Sequence, residues 1–262
     1  MMFLTTQPLW LSAILMLVPT TLIAMAGPIV VRRYVDLDRL RTNNEVAGFK
    51  FATVGVLYAV LLAFAVIVVW EKFNEADNDV AQEASAAATI YRLSHGIGAE
   101  PGAALRNAVS AYLKAAIAQD WPAMQQGTAD RDVTHALDNV YATVLGFHPS
   151  DARETTLLAE ILHQLDQVTQ ARRARLVMAS GIVPGIVWLG LFGGAALTIG
   201  FTFFFGNTNL RAQALMTGIL SILIFSGLLT IVAIDHPFTG SVTVGPHALS
   251  LVLEDFGGAS QP

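Results

Sequence analysis

Glu160 and His163 stand three residues apart, and Asp132 and His135 repeat that spacing. On a helix such a pair shares one face, where a carboxylate and an imidazole can bridge a metal ion. A di-iron centre needs four carboxylates and two histidines turned inward, whereas the inward positions of these segments are apolar. A solvated helix surface accounts for both pairs, so no metal is expected. The chain has no cysteine, which excludes disulfides, thiolate catalysis and sulfur-ligated metals. It also lacks His-Glu-x-x-His, Gly-x-Ser-x-Gly and any glycine-rich phosphate loop. No named reaction is supported. The chain is expected not to be an enzyme and to need no cofactor.

Two further patterns involve binding rather than reaction. Glu71, Glu75, Asp79 and Glu83 recur every four residues and are expected to line one face of a helix. Repeated around a symmetry axis, they form an acidic mouth of stacked rings that attract cations; as a solvated face they need no special account. Upstream, Gly48, Ala52, Gly55, Ala59 and Ala63 recur at intervals of three and four and form a small-residue stripe. Such a stripe lets helix backbones approach closely, either within the chain, between subunits or around a pore. Gly181 and Gly185, then Gly190 and Gly194, repeat the spacing further on.

The elements that must carry these residues belong to a membrane protein. Hydrophobic residues make up 54% of the chain and charged residues 13%, where soluble domains carry roughly 25% charged. From Phe51 to Trp70 there is no charge, and ~20 residues at ~1.5 Å rise cross the ~30 Å hydrocarbon core. Three other windows are equally free of charge. The expected architecture is an all-α membrane protein of four transmembrane helices, with a helical bundle inserted between spans two and three. Span one covers 8–31, a polar loop 32–47, span two 48–70, the helical insert 71–175, span three 176–206, span four 212–234, and an interfacial C-terminal tail 235–262. Thr42-x-x-Glu45 reads as a capping box in front of span two. A signal peptide is disfavoured, because the first apolar run continues past Ala24-Met25-Ala26 to Arg32-Arg33.

Beyond Glu71 the helix of span two is expected to continue, with Phe73, Ala76, Val80, Ala84, Ala87 and Tyr91 as a narrow seam. A last insert helix, capped by Ser150, presents Leu158, Ile161, Leu165 and Val168 and runs into span three. Asp235 and His236 read as an interfacial stop. After Pro246 a short helix presents Leu249, Val252, Leu253 and Phe256 to the membrane surface or the underside of the bundle.

Lys and Arg resist translocation. Arg32, Arg33, Arg39, Arg41, Lys50 and Arg211 lie on one side; Lys72, Arg172, Arg173 and Arg175 lie on the side of the insert. This excess places the two short loops in the cytoplasm and the insert outside it. The net charge of −5, without any basic patch, argues against nucleic acid as a partner.

The stretch RTNNEVAGFKFATVGVLYAVLLAFAVIVVWEKF, and later DHPFTGSVTVGPHAL, resemble the signature and the ending of a family of bacterial membrane proteins called bestrophin-like. The likeness runs through nearly the whole chain. It implies a multi-pass protein of the bacterial inner membrane, distantly related to bestrophins, which are pentameric anion channels with four-span subunits. Span two has no proline, so a proline-flanked neck like theirs is not evident, and no bestrophin pore residue transfers. The resulting expectation is a homo-oligomeric ion channel in the lipid bilayer, lined by span two and passing inorganic ions. The alternative is a non-conducting scaffold or sensor whose insert binds a partner.

Overall fold

The computed structural model describes residues 7–258. Helix α1 (Leu9–Tyr34) is followed by the short α2 (Leu37–Thr42) and by α3 (Asn44–Leu93), which runs for 50 residues. A 3-10 turn at Ser94–Gly96 leads to α4 (Ala99–Ala115), a π-helical stretch Ala116–Asp120, and the single turn α5 (Trp121–Met124). Then come α6 (Arg131–Leu145), α7 (Ala152–Met178), α8 (Gly185–Thr202), α9 (Leu210–Ile234) and α10 (His247–Gly258). No strand occurs among the described residues. Four helices are long and apolar enough to cross a membrane: α1, α3, α8 and α9.

The chain divides into two compact units. The first holds the residues up to Glu71 together with Ile182–Asp235. In it α1 packs on α9, with α8 against both. Helix α3 docks through one face only. Tyr58 lies where a Cβ on Gly194 of α8 would sit, 2.5 Å from its ring, so glycine is what admits the tyrosine there. Phe51 meets Phe201 and Phe205 at ring separations of 6.0 and 5.7 Å. The α8–α9 turn is tied down by Gln213, whose amide donates to the Phe205 carbonyl at 2.7 Å.

Three sequence expectations change here. The expected capping box of Thr42 and Glu45 does not form, because Thr42 ends α2 and its hydroxyl donates to the Asp38 carbonyl. Asn44 instead starts α3 and closes a two-way clasp on the α8–α9 turn: Nδ2 donates to the Gly206 carbonyl at 2.9 Å, and Oδ1 accepts from the Gly206 amide at 2.8 Å. Span three, expected over 176–206, is α8 alone. Gly181 takes φ +103°, open to glycine and costly to other residues, and Pro184 precedes the first helical residue. The insert's last helix therefore does not run straight into the span. Asp235, expected as an interfacial stop, is buried and does a cap's work for this break: its Oδ1 accepts from the amides of Ile182 and Val183 at 3.2 and 2.7 Å.

The second unit holds Lys72–Gly181 and the described residues from His236 onward. Its core is a helical bundle. The α3 seam supplies Ala76, Val80, Ala84 and Ala87, all buried, so neighbouring helices come close to the backbone. Helices α4 and α6 pair, α6 meets α7, and α10 lies on α4. Helix α7 is capped by Asp151 rather than Ser150; Asp151 accepts from the Glu154 amide, while the Glu154 carboxylate accepts from the Ser150 amide and hydroxyl. These bonds hold the Glu154 carboxyl below its usual range. The C-terminal tail, expected to be interfacial, belongs to this bundle. Leu249 and Phe256 are buried in its core.

Candidate functional site

Helix α3 carries both patterns read from the sequence, and the structure treats them differently. In the first unit its buried positions are Tyr58 and Val69. The small-residue stripe lies beside that docked face. Gly48 and Gly55 are half-buried, whereas Ala52, Ala59 and Ala63 are exposed. Only 11% of the most apolar stretch of α3 is buried within the chain, against 44% for α9, so this helix is the least covered of the long spans. Internal packing leaves the three alanines of the stripe uncovered. Of the expected span-three glycines, Gly194 meets a neighbour, while Gly185 and Gly190 face open space.

The acidic line does not form one face. Each four-residue step on a 3.6-residue helix overshoots a full turn by about 40°, so three steps rotate the line by about 120°. Burial follows that rotation: Glu71 and Glu75 are exposed, Asp79 is half-buried, and Glu83 is fully buried. Glu83 is therefore not part of an acidic mouth. Glu75 is paired with Lys72 through an ammonium–carboxylate contact. Burial raises the Asp79 carboxyl above its ordinary value, with Glu75 adding to the effect. Glu71 and Glu75 remain as the exposed part of the expected mouth.

Glu83 belongs to a charged centre inside the second unit that the sequence reading missed. Arg175 donates from Nε and Nη2 to the two Glu83 oxygens, and the Tyr112 hydroxyl donates to the same carboxylate. Arg175 also reaches Asp120 Oδ2 at 3.3 Å and stacks over Trp121, its guanidinium carbon 4.5 Å from the ring centroid. Arg172 donates to both Asp120 oxygens at 2.8 and 3.2 Å. Two carboxylates and two guanidiniums thus alternate in a core, with their lone pairs and N–H groups satisfied. Burial alone pulls the Arg175 guanidinium down, but Glu83 and Tyr112 outweigh it, and the net shift is upward. Burial, then the Glu83 charge, pushes the Tyr112 hydroxyl well above its usual range. Asp120 ends the π-helical stretch, whose wider turn carries it into the core.

A signal for this centre was present. Leu158, Ile161, Leu165 and Val168 continue at the same three- and four-residue spacing to Arg172 and Arg175, so the arginines share the inward face. Likewise Glu83 interrupts the Val80–Ala84–Ala87 seam.

The metal-spaced pairs are on the surface. Glu160, His163, Asp132 and His135 are all exposed, and Glu160 accepts from Gln164. Among the described residues no three His, Asp or Glu side chains gather as metal ligands would.

A family model described as the Bestrophin-like domain matches residues 18–249. No curated protein matches the chain. Among solved structures, point variants of a bacterial bestrophin homologue from Klebsiella pneumoniae share the fold. One is 17% identical, with a TM-score of 0.69 over 93% of this chain and 98% of that one. Another is 13% identical, with a TM-score of 0.71 over 94% and 99%. A further structure of the Klebsiella pneumoniae homologue, 16% identical, gives 0.68 over 92% and 98%.

Proposed function

Since the chain belongs to the Bestrophin-like family, we propose that it is an oligomeric ion channel of the bacterial inner membrane, with α3 lining the axis of the assembly. The observation that carries this reading is the open stripe. Ala52, Ala59 and Ala63 are exposed and lie on the least covered of the long spans. Lipid is contacted well by large apolar side chains, and small ones gain little from it; they favour close approach of another helix or room around a pore. The same helix ends its apolar run at Glu71, whose carboxylate is exposed and makes no ion pair among the described residues. A ring of Glu71 from several subunits favours cations over anions.

The test has two parts. Purified protein in nanodiscs is expected to form a closed oligomer by native mass spectrometry. In planar bilayers it is expected to give unitary currents, with a reversal potential that Glu71→Gln shifts toward that of anions. A monomer, or an oligomer silent across ions and voltages, overturns the reading and favours the non-conducting scaffold. We place the bundle on the extracytoplasmic side. Labelling of Gln126→Cys, exposed in a turn of a chain without native cysteine, by an impermeant maleimide on intact spheroplasts tests that side.

A further inference from the structure

Within the second unit, a cleft of about 580 Å³ opens between α4 and α10. One wall is a single face of α4, where Arg106, Ser110 and Lys114 follow at four-residue steps with Asn107 beside them. The opposite wall is aromatic. Tyr91 and Phe256 stack at 3.7 Å with planes 8° apart, and the Tyr91 hydroxyl donates to the Phe256 carbonyl at 3.4 Å.

Among the described residues the lining carries two cations and no carboxylate. Elsewhere in this unit the buried arginines have carboxylate partners, Arg172 with Asp120 and Arg175 with Glu83. Arg106 and Lys114 have none within ion-pair distance among the described residues. Arg106 is half-buried and one of its N–H groups donates to the Ser94 hydroxyl at 3.3 Å, which steadies the guanidinium and leaves the rest of its fork open. The Ser110 hydroxyl proton is already given to the Arg106 carbonyl, so the donors that face the cleft are guanidinium, ammonium and the Asn107 amide.

We propose that this cleft binds a small organic phosphate. The volume lies in the range of small-molecule sites and far exceeds what an inorganic halide needs. A phosphate monoester carries a charge of about −1.5 to −2 near neutral pH, enough to answer both cations at once. The guanidinium fork matches phosphate oxygens two at a time, while the lysine adds a point charge on a long stem. The aromatic wall receives the apolar part of the ester. Because the walls come from α3, α4 and α10, the bound ligand ties the C-terminal helix to the bundle. The site stands independently of channel activity.

The phosphate can belong to a soluble ester or to a phospholipid head group. Calorimetric titration of the full chain in a neutral detergent, at constant chloride, uses phenyl phosphate for the first and dioctanoyl phosphatidic acid for the second. Saturable binding of either is expected, accompanied by protection of the Phe256 region from carboxypeptidase, and the probe that binds identifies the source. Arg106→Gln and Lys114→Gln are each expected to weaken binding ~10-fold or more, the scale of one charge-assisted hydrogen bond. Arg153→Gln, exposed at the start of α7, leaves it unchanged. Lys114 is exposed, so its variant keeps the test decisive if Arg106→Gln does not fold. Failure of both probes to saturate, or equal binding by the Lys114 variant, overturns the proposal.

Discussion

Arg175 grips Glu83 through two N–H groups, Nε at 2.9 Å and Nη2 at 3.1 Å, and neither side chain is reached by solvent. The pair joins α3 to α7, helices separated by 92 positions at these residues. Its geometry, together with Tyr112 and Asp120, leaves little of either charge uncompensated. Two charges were taken from water to make it, so its net worth against an apolar pair is small, but removing one partner is costly.

That asymmetry gives the first prediction. Glu83→Gln leaves the buried Arg175 with a single carboxylate contact, to Asp120 at 3.3 Å and shared with Arg172, and stability of the bundle is expected to fall by about 3–5 kcal/mol. The double variant Glu83→Leu with Arg175→Met loses markedly less. Denaturant unfolding followed by circular dichroism reads both; equal losses for single and double variants contradict the account.

How much of this was legible in the sequence depends on which force placed each residue. The four spans follow from apolar length alone, and the α3 seam from its periodicity, because burial of an apolar face is a local demand. Glu83, Arg172 and Arg175 misled because residue type outweighed position: charge suggested solvent, although their spacing placed them on inward faces. The partners they need, Asp120 and Tyr112, come from a distant segment, and the π-helical stretch that aims Asp120 leaves no mark in composition. The break before α8 was announced by Gly181 and Pro184, but an uncharged window hid it. Asn44 stands inside the expected Thr42-x-x-Glu45 box, and nothing local marks its partner Gly206, 162 positions away.

The Asn44 clasp yields the second prediction. A Cβ on Gly206 would lie 2.6 Å from the Arg41 amide nitrogen and 2.8 Å from the Leu40 carbonyl carbon, both backbone atoms that cannot rotate away. Gly206→Ala is therefore expected to destabilise the membrane unit by about 1–3 kcal/mol, the usual scale of overpacking. Asn44→Ala, which strands a backbone donor and acceptor, is expected to cost a similar amount. Thermal unfolding in detergent measures each, and additivity of the two separate costs would show that they do not act on one contact.

Asp79 carries the third prediction. Its carboxyl is raised above the ordinary value of 3.8 by burial and then by Glu75. Below 3.8 the group is protonated in folded and unfolded chains alike, and its contribution is fully present. As pH rises through the folded value, the unfolded chain ionises more readily and stability is lost. Asp79→Asn removes that loss. The variant is expected to be more stable than the parent at neutral pH and to converge with it as pH falls toward 3.8. Parallel unfolding curves across pH, with a constant gap, would contradict the assignment.

The last prediction separates assembly from folding along α3. Ala59 and Ala63 are exposed within one chain, so a larger side chain there has room among the described residues. Ala59→Phe is therefore expected to leave helical content and thermal stability of the protomer unchanged. In the proposed assembly the same substitution forces a neighbouring helix outward, at about 1–3 kcal/mol per contact, and shifts the oligomer toward free protomers roughly tenfold or more. Leu61 is 42% exposed on a different side of the helix, already large, and Leu61→Phe serves as the control that keeps assembly intact. Mass photometry in nanodiscs reads the two populations directly. If Ala59→Phe both assembles and conducts like the parent, the stripe faces lipid, and α3 does not line an axis.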